Sequence, residues 1–135
     1  MASQDQRRVV NRIVEEAYNR GNFTVLDECV APDFTSAMLP EGSPGGPEAF
    51  RLGIAAFRAG FPDLHFTIDD QIAEPGTVVN RWTMTGTHQG SFMGIEPTGK
   101  TVRIHGISIW YLRDDQVVDF WVVMDEHGLR QQFNT

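Results

Sequence analysis

The chain has 135 residues, 41% of them hydrophobic, and a formal net charge of -7 with a pI near 4.9. That length fits one domain with a single core and is too short for two ordinary ones. The acidic balance offers no basic stripe to displace counterions from phosphates, which argues against a nucleic-acid partner, and a single Cys29 excludes an internal disulfide.

The opening MASQDQRR lacks the apolar stretch of a secretory leader, and no run approaches the ~18 apolar residues of a membrane helix, so a cytoplasmic protein without a membrane partner is expected. Ser3 with Gln6 predicts a capping box, after which Val9, Val10, Ile13, Val14, Ala17 and Tyr18 recur at helical spacing as far as Gly21. A shorter helix is expected from Thr24 to Val30, turning Val25, Leu26 and Cys29 inward. Residues 36–47, SAMLPEGSPGGP, must form a loop. Pro47 and Glu48 suit the first turn of a third helix, which carries Phe50, Ile54 and Phe57 on one face and stops at Gly60 or before Pro62.

From Leu64 the period changes to two, with Leu64, Phe66 and Ile68 alternating with His65, Thr67 and Asp69. Three further strands are predicted at 77–87, 100–112 and 116–125, giving an α+β chain whose antiparallel meander curves over the helices. The last two strands are apolar on both faces. The outer face is therefore expected to meet another subunit in a homodimer or homotetramer, with His105 as an interface histidine.

The stretch from Arg81 to Lys100 organises this half of the chain. Asn80, Trp82 and Met84 alternate with Arg81, Thr83 and Thr85, and Gly86, Gly90, Gly94 and Gly99 then punctuate a loop that a long second strand leaves. The string GTHQGSFMGIEPTGK, with RWT before it, resembles the hairpin of the SnoaL-like polyketide cyclases, a branch of the NTF2-like superfamily. Ala31-Pro-Asp-Phe34, Gly46-Pro-Glu-Ala-Phe50, Phe61-Pro-Asp63 and Asp125-Glu-His-Gly-Leu-Arg-Gln-Gln132 follow the family's order and about its spacing, so the resemblance covers residues 1–135 as one domain. It implies an NTF2-like cone, a curved antiparallel sheet wrapped around three helices.

The resemblance also implies a pocket on the concave side, lined by Trp82, Met84, Ser108, Trp110, Phe120, Val122 and Met124, with Phe50, Tyr18 and Ser36 turned towards it. Such a pocket suits a flat hydrophobic small molecule. In the family, an Asp on the last strand moves the proton of an aldol ring closure; here Phe120-Trp121-Val122 places Val122 at that position. A supporting His corresponds to Ser108 and a substrate-contacting loop Asn to Ser36. The catalytic candidates left are Tyr18 and Ser108 as donors, His88 as a gate or a turn-stabilising group, and Asp125, whose other role is an N-cap on the C-terminal segment.

Neither metal nor other cofactor is expected, because the histidines at 65, 88, 105 and 127 lie on separate elements and Gly42-Ser-Pro-Gly-Gly46 lacks the Lys of a phosphate loop. Three functions are compatible with these residues. One is a small-molecule enzyme on a polyketide-like substrate, by aldol cyclisation, hydroxylation or epoxide opening. The second is a non-catalytic binder of a small apolar ligand, and the third an oligomerisation domain with a filled core.

Overall fold

The computed structural model describes residues 3–135. Helix α1 (Ser3–Arg12) continues into a π-helical stretch, Ile13–Asn19, which buries Ile13, Val14 and Ala17 against the sheet. Widened turns of this kind recur where a helix serves a site, and Val14 and Tyr18 both face the cavity described below.

The Ser3–Gln6 capping box does not form. Gln6 is instead 2% exposed; its Nε2 donates to Asp114 O at 2.9 Å and its Oε1 accepts from Gly76 N at 2.8 Å. Turn backbone groups of two hairpins lie outside the sheet ladder and need partners, so a buried amide satisfying both outweighs a solvated cap.

Helix α2 (Thr24–Cys29) buries Val25, Leu26 and Cys29, and α3 (Pro47–Gly60) buries Phe50 and Ile54. Proline near the start of α3 has no N–H to leave unpaired. Strands β1 (His65–Glu74), β2 (Thr77–Thr87), β3 (Thr101–Arg113) and β4 (Gln116–Met124) form one antiparallel meander in the order β1-β2-β3-β4. The register shifts between Ile68 and Asp70 on β1, and beside Tyr111 and Leu112 at the β3–β4 edge. Such bulges bend the strands and re-aim the side chains beyond them.

The C-terminal segment is a fourth helix, α4 (Glu126–Phe133), which buries Leu129 and Phe133 and closes one end of the cone. At that end the loop after β2 is seated on α3, with Gln89 N and Gly90 N donating to Gly60 O at 3.0 and 3.1 Å. A Cβ at Gly90 would lie 1.9 Å from Ala59 O, so this approach requires glycine. Asp63 accepts from Thr87 N at 2.7 Å and Thr87 Oγ1 at 2.8 Å, which holds its carboxyl below the usual carboxylate range. That contribution to stability is present above the unfolded pKa and is lost as the pH falls through the folded one.

The inner face of the sheet and the helices share one core, including Val10, Ile13, Leu26, Ile54, Phe61, Met84, Ile104 and Leu129. The outer face exposes Ile72, Ile107, Tyr111, Trp121 and Val123, with Val123 71% accessible. Among the described residues, no helix is long and apolar enough to cross a membrane.

Candidate active site

A cavity of about 290 Å³ opens between the π-helical stretch after α1, α3, the 36–39 loop and the inner face of the sheet. The register sets its floor, because Trp82 lies opposite Gly106, Asn80 opposite Ser108, and Ser108 in turn opposite Val122. Trp82 spreads its indole over Gly106, where a Cβ would meet Cζ2 at 2.2 Å. In that pose Trp82 Nε1 donates to Ser108 Oγ at 2.8 Å. Ser108 thus accepts from the indole and keeps its own O–H as a donor.

The walls are aromatic. Phe50 stacks on Trp110 with ring centroids 5.6 Å apart and 9° between planes, and Phe120 meets Trp110 edge-on at 4.7 Å. Trp110 Nε1 is buried without a hydrogen-bond partner among the described residues. Tyr18 meets Phe66 edge-on at 5.1 Å, and burial raises its phenol above the ordinary value. The phenol therefore stays protonated and acts as a hydrogen-bond donor rather than a base. Ser36 fastens the loop instead of facing a ligand freely: its Oγ donates to Phe120 O at 2.6 Å and accepts from Met38 N at 3.2 Å.

Of the residues singled out from sequence, Tyr18, Ser36, Phe50, Trp82, Ser108, Trp110, Phe120 and Val122 line this cavity. Met84, Met124, His88 and Asp125 do not. Met84 is fully buried in the core and Met124 packs against that core. Both lie towards the end of the sheet on which α4 packs, outside the cavity lining. Asp125 is exposed, its Oδ1 accepting from Gly128 N at 2.9 Å as the N-cap of α4.

His88 is fully buried, stacked on Phe133 at 4.3 Å between ring centroids and accepting at Nδ1 from Thr98 N at 3.2 Å. It fixes the loop after β2, away from the cavity. Asn80, Phe34, Phe57, Phe66 and Ile68, not among the pocket residues expected from the sequence, also line the space. Asn80 carried a signal, an amide on the same strand face as Trp82. Among the described residues that line the cavity, none is Asp, Glu, His, Lys or Arg.

The model of the SnoaL-like polyketide cyclase family matches residues 8–133. The chain belongs to this family. Its fold is the NTF2-like cone shared by solved SnoaL-like structures. TsrD from Streptomyces laurentii is 26% identical with a TM-score of 0.88, the alignment covering 98% of this chain and 97% of that one. IdmH from Streptomyces antibioticus, a candidate polyketide cyclase, is 29% identical with a TM-score of 0.79, covering 96% and 99%. AclR from Streptomyces galilaeus, a candidate hydroxylase, is 26% identical with a TM-score of 0.82, covering 98% of each chain. No curated protein matches.

Within this SnoaL-like chain the position expected from sequence for the proton-moving Asp is Val122, a half-buried side chain on the cavity wall. Its backbone N–H donates to Met38 Sδ at 3.2 Å, which joins the last strand to the loop at the mouth. Among the described residues no group of three His, Cys, Asp or Glu gathers to hold a metal ion.

Proposed function

We propose that this SnoaL-like protein acts on a flat hydrophobic polyketide-like molecule, promoting ring closure by orientation and by neutral hydrogen-bond donors. The observation that carries this is the lining itself: an aromatic cavity in which Tyr18 and Ser108 offer O–H donors and no ionised side chain is present. In the closure, an acidic C–H α to a carbonyl loses its proton to water. The resulting enolate carbon bonds to a second carbonyl carbon, and the new alkoxide, held by Tyr18 and Ser108, takes a proton from water. The reaction is an isomerisation and needs no co-reactant. Positioning two reacting groups and stabilising the developing oxyanion account for the acceleration.

The test is turnover of an aromatic polyketide methyl ester by the native protein and by Tyr18→Phe. Loss of one oxyanion donor is expected to lower the rate about 100-fold with little change in affinity. Equal rates would remove Tyr18 from the chemistry. The absence of a proton acceptor from the lining also supports a second reading, a non-catalytic carrier, and tight binding of the ester without turnover would favour it.

The proposal extends to self-association. Ile107 and Val123 are paired across β3 and β4 on the outer face, beside Trp121, which is 43% exposed. An apolar patch of this kind supports a homodimer. Analytical ultracentrifugation should give a dimer for the native chain and a shift towards monomer for Val123→Asp. A native monomer at micromolar concentration would contradict it.

A further inference from the structure

We infer that Asn80 is the residue that reads an oxygen acceptor on the ligand, held as a donor by an amide relay that reaches it from the protein surface. This inference rests on the cavity being the ligand site. Asn80 is 1% exposed and lines the cavity. Its Oδ1 accepts from Gln71 Nε2 at 2.8 Å, and the same Nε2 donates to Asn11 Oδ1 at 2.8 Å.

The bulge between Ile68 and Asp70 makes this possible. It shifts the parity of β1, so that Gln71 pairs opposite Asn80 and its side chain joins the inner face behind Phe66 and Ile68. With Oδ1 committed to Gln71, the two N–H groups of Asn80 Nδ2 remain, and none of the described residues accepts from them. Turning the amide over would set Nδ2 against Gln71 Nε2, donor against donor, unless Gln71 and Asn11 turned with it. Set this way, with Gln71 Nε2 donating to both oxygens, the relay leaves Nδ2 as the group that Asn80 offers a ligand.

Asn80 also lies directly across the β2–β3 ladder from Ser108, whose hydroxyl proton is unspent. Paired side chains at such positions are about 5 Å apart at Cβ. Two neutral donors thus meet on the sheet floor of a cavity whose walls are mostly aromatic and aliphatic. The ligand chemistry that fits is a fused aromatic carrying a ketone, quinone or enolate oxygen at its sheet-facing edge. A hydrocarbon of the same shape would leave Asn80 Nδ2 desolvated and unpaired, which is the source of discrimination. Gln71 acts as a positioning residue, since it touches Asn80 and not the ligand.

The test uses two tricyclic probes, 9,10-anthraquinone and anthracene, titrated against the fluorescence of Trp82 and Trp110 in a Trp121→Phe background. The native protein should bind the quinone about tenfold more tightly or better, the size of one well-made hydrogen bond in a desolvated site. In Asn80→Leu the quinone affinity should fall about tenfold while that of anthracene holds or rises, with folding checked by circular dichroism. Gln71→Leu should show the same loss of preference in smaller degree.

The carbonyl stretch of bound anthraquinone gives a readout that needs no variant, and it should shift to lower frequency than in hydrocarbon solvent. A native protein that does not prefer the quinone, an unshifted carbonyl, or an Asn80→Leu protein that keeps the preference would overturn the inference while leaving the cavity as a ligand site. Binding of neither probe would overturn both.

Discussion

Gly106→Ala is expected to destabilise the protein by about 3 kcal/mol, lowering the melting temperature by roughly 10 °C. The reason is local and steric. A Cβ at position 106 would lie 2.2, 2.6 and 2.7 Å from three atoms of the Trp82 indole, so the ring must leave its seat. Trp82 is 5% exposed and meets Phe66 edge-on at 4.9 Å, which leaves little space for a shift. Moving it also breaks the bond from Nε1 to Ser108, about 1 kcal/mol on its own.

Trp82→Phe removes the outer part of the indole and should relieve the clash. The double variant is therefore expected to be more stable than the sum of the two single effects allows, by at least about 1 kcal/mol in a thermodynamic cycle. Thermal and urea unfolding of the four proteins measures this. A Gly106→Ala protein that melts within 2 °C of the native one would mean that Trp82 has a second, equally good seat.

Val122→Asp is expected to raise ring-closure turnover by about 10² to 10⁴, the usual span of a positioned general base. Among the described residues Tyr18 and Ser108 bring hydroxyls to the lining and none of the lining is Asp, Glu or His, while Val122 joins it from β4. An aspartate there would be surrounded by Phe120, Trp110 and Met38, so desolvation would raise its pKa above the ordinary carboxylate value. The base form is the ionised one, so the gain should grow as the pH rises through that raised pKa and vanish below it.

A cost in stability of about 1–3 kcal/mol accompanies the buried carboxyl. Rates measured on one aromatic polyketide methyl ester with an acidic α-carbon, from pH 4 to 9, test both the size and the sign. A native protein as fast as the variant would show that the proton already has another acceptor.

The fold was legible from the sequence because its strongest signals are periodic. Val9 to Tyr18 at helical spacing and Leu64 to Ile68 in alternation specify element type, while Gly21, Pro47 and Gly60 mark the helix boundaries. Long-range polar economy was not legible. Gln6 looked like a local cap, yet it joins two hairpin turns whose approach no local pattern encodes.

The site divided in the same way. Trp82, Ser108, Trp110, Phe120 and Val122, expected from the family resemblance, line the cavity, whereas Met84 and Met124, expected on the same ground, lie beyond it. Parity fixes a face and says nothing of where α4 closes the cone. Asn80 was visible as an amide on an apolar face, but its partner Gln71 reaches it only through the bulge near Asp69. A one-residue parity shift of that kind has no reliable signature in a single sequence.

A crystal structure of the native protein soaked with an aromatic polyketide methyl ester would show directly whether the cavity is the ligand site. The fused rings should lie inside the cavity against Trp110 and Trp82, with a ligand oxygen about 3 Å from Tyr18 Oη or Ser108 Oγ. A cavity left empty at saturating ligand, or a ligand held elsewhere on the chain, would contradict it.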